Sequence, residues 1–116
     1  MIDEIIRVYK EYFNEGKLPY ILCKKCGTTF YYPKEFCPKC GSSSLEVKVS
    51  EGRGIVFSVT KFNDKSGEVI YGIVQLKEGF RMYTNFLDAV NIDDEVIVTF
   101  NNKKDNQLKF PLFKKA

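Results

Sequence analysis

Two short knuckles, Cys23-Lys24-Lys25-Cys26-Gly27 and Cys37-Pro38-Lys39-Cys40-Gly41, stand ten residues apart and constrain this 116-residue chain more than any other feature. Two residues between paired cysteines let both sulfurs reach one ion at about 2.3 Å, and two such pairs complete a tetrahedron. Glycine after each pair has no Cβ, so the chain can turn and bring backbone N–H groups toward the thiolates. So short a segment buries too little apolar surface to fold alone, whereas a structural zinc site contributes roughly 10 to 16 kcal/mol of apparent binding energy. Cys23, Cys26, Cys37 and Cys40 are therefore expected to hold one structural Zn²⁺. A rubredoxin-like iron would use the same four thiolates, and paired disulfides would need an oxidising compartment. With four cysteine ligands the sphere is full, which leaves no position for a catalytic water.

The rest of the chain reads as one compact unit with appendages. Ten Phe, seven Tyr and no Trp give a short chain an aromatic-heavy core. Its apolar runs are a few residues long, against the roughly 20 that span a bilayer, and Met1-Ile2-Asp3-Glu4 lacks a basic leader. A cytoplasmic protein without membrane association is expected. The formal charge is +3, and four thiolates with one divalent cation bring it two units lower. Residues 50–102 hold five basic and eight acidic groups, so no basic stripe runs along the chain to greet a polyanion.

Ile2, Ile5, Ile6, Tyr9, Tyr12 and Phe13 recur at helical spacing, which predicts a helix over residues 3–15 within an N-terminal segment 1–17. Gly16 and Pro19 supply its stop. Tyr9, Tyr12 and Phe13 form an aromatic stripe that either packs on the monomer, the commoner case, or docks a partner. Residues 18–49 form the metal-centred ribbon, and Leu45, Val47 and Val49 alternate with Glu46 and Lys48 as a strand leaving it. Gly52 and Gly54 allow a bend or bulge. Over residues 50–116 five strands are predicted: 55–62, 69–76, 80–87, 95–100 and 108–113, separated by polar turns that include 101–106. This is the pattern of a closed or partly open five-stranded barrel of OB-fold type. The expected class is mainly β, with an N-terminal helix, a rubredoxin-like ribbon and a C-terminal OB-fold.

The chain contains no histidine, which excludes Ser-His, Cys-His and His-metal catalysis. No phosphate-cradling glycine loop or dinucleotide fingerprint is present, and Asp93-Asp94-Glu95 reads as a solvated turn before a strand.

Several pieces in order carry a resemblance. These are Phe13 and Gly16-Lys17-Leu18 ahead of the first knuckle, Tyr32-Pro33 before the second, Gly52-Arg53-Gly54 with Phe57 and Thr60, and Val74-Gln75-Leu76-Lys77-Glu78-Gly79. With the two knuckles they make the chain resemble the domain-of-unknown-function 35 family over nearly its whole length. The resemblance implies a non-catalytic accessory subunit that pairs with a thiolase or hydroxymethylglutaryl-CoA synthase type enzyme and helps hold acyl-CoA intermediates. The chain departs from the family pattern in a short helix and in Asp93-Asp94, where glycine is frequent. For acyl-CoA phosphates the barrel cations to consider are Arg53, Lys61 and Arg81. The alternative is a nucleic-acid module, with Lys24, Lys25 and Lys39 on the knuckles and Phe57, Phe62, Tyr71 and Tyr83 as stacking platforms. The acidic balance of residues 50–102 weighs against it.

Overall fold

An apolar stripe at helical spacing can be buried only by a helix laid on something else, and α1 (Ile2–Asn14) does this in the computed structural model, which describes residues 2–100 and 110–116. Its end is built by Gly16 at φ 73°. Gly16 N–H donates to Phe13 O (3.0 Å) and Lys17 N–H reaches back to Tyr12 O (2.9 Å), the paired bonds of a Schellman stop.

The ribbon contributes β1 (Leu18–Cys23), β2 (Thr29–Phe30) and β3 (Leu45–Ser50), an antiparallel sheet in the order β2-β1-β3. In β3 the expected alternation holds through Lys48 and then breaks. Val49 is exposed, and Ser50 is buried because its hydroxyl donates to Glu78 Oε1 at 2.7 Å.

The second sheet comprises β4 (Arg53–Asp64), β5 (Gly67–Leu76), β6 (Arg81–Asn85), β7 (Glu95–Phe100) and β8 (Pro111–Lys115), all antiparallel, in the order β6-β5-β4-β7-β8. The five expected strands are thus present, with altered limits. The β4–β5 hairpin is longer than its hydropathy suggests because Asp64 Oδ1 accepts both the N–H and the hydroxyl of Ser66 and tightens the turn. The predicted start of the last strand at Leu108 and the turn 101–106 lie outside the described residues, and the described strand continues to Lys115. The two sheet edges meet at one parallel bridge, Phe86 to Phe113, where Leu87 N–H also donates to Phe113 O (2.9 Å). Among the described residues the edges touch at that point without a closing ladder.

Of the bend or bulge expected at Gly52 and Gly54, the bend forms at Gly52, and the bulge lies further along β4. The β4–β5 register shifts between Val56 and Ser58, which makes Phe57 the extra residue and leaves it on the outer surface. Gly52 turns at φ 75°, and a Cβ there would run into the Val98 side chain. Asp93, where glycine is frequent in the family pattern, also takes a positive φ of 75°. Its N–H donates to Val56 O and Asp94 Oδ2 accepts Asn91 N–H, so the acidic triplet serves a turn.

One core serves both sheets. Leu18 and Tyr20 of the ribbon share it with Val56, Val74, Leu76, Met82, Phe86, Val90, Val96 and Phe113. Phe80 is the junction: its ring stacks on Tyr20 at 5.0 Å and on Tyr31 at 6.3 Å, nearly parallel to both. A polar clasp lies beside it. Glu78 accepts from Ser50 Oγ and from Glu51 N–H, while its carbonyl accepts from Thr29 Oγ1.

Phe80→Ala is expected to lower unfolding stability by about 3 to 5 kcal/mol, through lost transfer energy and the cavity left between two sheets. Glu78→Gln keeps shape but weakens two charge-assisted bonds, at a cost of about 1 to 2 kcal/mol. Urea unfolding of the metal-loaded protein measures both.

Candidate metal centre and sheet surface

Each knuckle is built by the same backbone bonds. Cys23 N–H donates to Thr28 O and Gly27 N–H to Cys23 O; in the second knuckle Cys37 N–H donates to Ser42 O and Gly41 N–H to Cys37 O, all at 2.8 to 2.9 Å. Gly27 and Gly41 sit at φ 79° and 77°, which a side chain would strain. These glycines turn the chain but spend their own N–H groups on carbonyls. The donors that face sulfur belong to the residues after them, Thr28 to Cys26 and Ser42 to Cys40, with Lys39 N–H on Cys37 at 3.4 Å.

The two knuckles face each other. All four Sγ atoms lie within 4.8 Å of one another, with Cys23–Cys40 at 3.6 Å and Cys26–Cys37 at 3.7 Å. A tetrahedron with metal–sulfur bonds of about 2.3 Å has sulfur separations of about 3.8 Å, so the cluster fits one metal ion, whereas a disulfide needs about 2.05 Å. Cys23 and Cys37 are buried, and Cys26 and Cys40 line the outer side. The Thr28 hydroxyl and N–H pull Cys26 down to about 6. At Cys40 the Ser42 N–H acts to lower the pKa, but burial and hydrogen bonds with the other three thiols outweigh it and hold it up to about 11. Four crowded thiols cannot all ionise cheaply without a cation among them. Among the described residues, no other group of His, Cys, Asp and Glu side chains is gathered in this way.

The aromatic stripe of α1 divides. Tyr9 is 4% exposed, packs against Phe13 and Tyr31, and donates its hydroxyl to Tyr31 O at 2.5 Å. Burial pushes its phenol well above the ordinary value, with Tyr31 adding to the effect. Tyr9 therefore belongs to the monomer's own packing. Tyr12 and Phe13 are half-buried, and Phe13 leans on Phe100 of β7 at 6.3 Å.

The three barrel cations are not brought together. Arg53 lines a cleft of about 340 Å³ with Ile55, Leu76, Lys77, Glu95 and Val96. Lys61 stands in the exposed β4–β5 hairpin, opposite Ile70. Eight residues of strand separate it from Arg53, a span of about 26 Å. Arg81 lies on β6, where its Nε donates to Gln75 Oε1 (2.8 Å) and its guanidinium sits 3.8 Å over the Phe57 ring.

Comparison with known proteins adds the family. The zinc-ribbon family described as "ChsH2, rubredoxin-like zinc ribbon domain" matches residues 11–46, from the last turn of α1 through both knuckles. A DUF35 domain-containing scaffold protein of Methanothermobacter thermautotrophicus is 26% identical over 116 residues, which covers 90% of this chain and 87% of the relative. Its counterpart in Methanocaldococcus jannaschii is 27% identical over 114 residues, covering 88% and 80%. Along most of its length the chain is similar to these DUF35 scaffold proteins. The same fold occurs in a solved Ltp2-ChsH2(DUF35) aldolase, with a TM-score of 0.81, 24% identity and coverage of 95% of this chain and 93% of that one. It occurs also in a DUF35 protein of unknown function from Sulfolobus solfataricus, with a TM-score of 0.70 at 15% identity and coverage of 95% and 84%.

Sequence spacing located the cysteines but not the groups that support them. Thr28 and Ser42 were legible only as the residues after each glycine, and Tyr32, whose hydroxyl accepts Tyr83 N–H at 2.8 Å, gave no local signal. Among the described residues no helix is long and apolar enough to cross a membrane.

Cys23→Ser is expected to abolish stoichiometric metal retention, since loss of one buried ligand opens the tetrahedron. Elemental analysis after gel filtration checks the metal. Near-ultraviolet circular dichroism checks the accompanying loss of the tyrosine environment around Tyr20 and Tyr31.

Proposed function

We propose that this protein is a non-catalytic, zinc-bearing scaffold subunit that associates in the cytoplasm with a thiolase-superfamily enzyme and its acyl-CoA intermediates. The observation that carries this reading is the likeness along most of the chain to relatives described as scaffold proteins, joined to the shared fold of a DUF35 chain solved within an aldolase. Two features of the chain agree with a supporting role. It has no histidine, and the one set of metal-binding side chains gathered among the described residues is all cysteine, which closes the coordination sphere. Zn²⁺ rather than iron suits a site whose purpose is to fold the ribbon, because zinc has no redox chemistry to manage.

The division of labour follows the three segments 1–17, 18–49 and 50–116. The ribbon, folded by its metal at Cys23, Cys26, Cys37 and Cys40, holds the helix against the five-stranded sheet. Of the helix stripe, Tyr12 and Phe13 retain surface for a partner. In the acyl-CoA role, Arg53 and Lys77 supply cations for a phosphate, and Ile55, Leu76 and Val96 supply an apolar floor for the pantetheine arm. Lys61 lies too far along β4 to share that phosphate, and Arg81 is already engaged with Phe57 and Gln75.

Purified protein is expected to be colourless and to hold one equivalent of zinc by elemental analysis; a red, redox-active protein would replace zinc by iron. Coexpression with the thiolase-superfamily enzymes of the source organism is expected to yield a complex that survives gel filtration and binds acyl-CoA more tightly than either component. If no such enzyme coelutes and no acyl-CoA binds, the reading fails.

A further inference from the structure

The outer face of the five-stranded sheet carries a surface that lies apart from the metal centre and meets the cleft at Arg53 through Ile55 and Gln75. Register places Ile55, Gln75 and Arg81 side by side across β4, β5 and β6, and Ile73 and Tyr83 in the next row on the same face. The bulge adds Phe57 to it. Phe57 is 45% exposed and Tyr83 56% exposed, and Tyr71 stacks on Tyr83 with ring planes 8° apart at 6.0 Å. Between them lies a hollow of about 230 Å³ lined by Tyr32, Phe57, Ile73, Arg81, Met82 and Tyr83.

Arg81 is the polar end of this hollow. Its guanidinium rests on Phe57 and its Nε is held by Gln75, two neutral partners, and among the described residues no carboxylate pairs with it. The remaining N–H groups form a fixed fork, the geometry that a carboxylate accepts in bidentate fashion. Because the fork is already oriented, little side-chain entropy remains to be lost on binding. Exposed tyrosines around a held arginine have the composition of a protein-interface anchor.

Two further observations select the occupant. Tyr32 reaches from the ribbon to the edge strand β6 and caps Tyr83 N–H, so an incoming strand cannot pair at that position and the occupant must lie on the face. Residues 50–102 carry eight acidic groups against five basic ones, which disfavours a polyanion while one isolated cation favours a single carboxylate.

We propose that this face is the docking surface for a partner protein, which inserts an Asp or Glu carboxylate onto Arg81 with apolar side chains against Phe57, Tyr83 and Tyr32. The inference rests on the scaffold reading for the identity of that partner, the thiolase-superfamily enzyme. Gln75 acts as a positioning residue for Arg81.

The test titrates each purified thiolase-superfamily enzyme of the source organism against zinc-loaded protein by calorimetry. The wild-type chain is compared with Arg81→Glu, Tyr83→Ala, Gln75→Glu and, as a control outside this face, Lys114→Glu. Affinity is expected to fall at least tenfold in the first two variants, with zinc content and melting temperature unchanged. Gln75→Glu gives Arg81 a carboxylate within the chain and is expected to weaken binding as well, which a purely structural role for Gln75 does not predict. An enzyme that binds Arg81→Glu as well as wild type overturns this inference and leaves the scaffold reading standing. A wild-type chain that binds none of these enzymes overturns both. A 20-nucleotide oligothymidine bound by the wild type and lost in Arg81→Glu, or a self-dimer lost in Tyr83→Ala, would assign the face to another occupant and overturn it too.

Discussion

The packing of one phenylalanine against two tyrosines ties the molecule together. Phe80 lies in the short connection between β5 and β6, buried in the shared core, and its ring stacks nearly parallel to two ribbon residues, Tyr20 on β1 and Tyr31 beyond β2. Tyr31 in turn receives the hydroxyl of Tyr9 from α1, and Phe13 reaches the end of β7 at Phe100. A continuous run of rings therefore passes from helix to ribbon to sheet. Neither the thirteen-residue helix nor the three short ribbon strands could bury enough surface alone.

This arrangement separates two jobs that small metal ribbons combine. The cysteines hold the two knuckles to one point, while the orientation of the ribbon against the sheet is set by Phe80 and by the Glu78 clasp on Ser50, Glu51 and Thr29. Glu78 and Gly52 belong to the segments by which the chain resembles its family, and the structure supplies their reason. Gly52 is a position where positive φ and the nearby Val98 side chain leave no room for a Cβ, and Glu78 is the carboxylate that closes over the turn it forms. The same turn delivers Phe80.

Much of the fold was legible because it rests on local chemistry. Helical spacing located α1 to within a residue at each end, and the Gly16 stop took the form its sequence suggested. The knuckles followed from Cys-x-x-Cys-Gly alone. Where the reading departed from the structure, a long-range contact had intervened. A bulge formed at Phe57 without a glycine to mark it, and the alternation in β3 ended when Ser50 turned toward Glu78. The three cations Arg53, Lys61 and Arg81 were grouped by charge, which carries no information about which side of a strand or which end of a hairpin each occupies.

By itself, the sequence determined the inventory: one thiolate cluster, one amphipathic helix, five strands and a chain without histidine. These depend on residue type and on spacings of a few positions, over which covalent geometry dictates what meets what. Only the tertiary structure decided the strand order β6-β5-β4-β7-β8, the meeting of sheet edges at Phe86 and Phe113, and the assembly of Phe57, Arg81, Tyr83 and Tyr32 on one face. The outermost two of those four residues stand 51 positions apart in sequence, and all four come together through strand register, a bulge and a hydroxyl reaching from the ribbon. Register and bulge are settled by how whole faces pack, so no local pattern in the chain could have announced them.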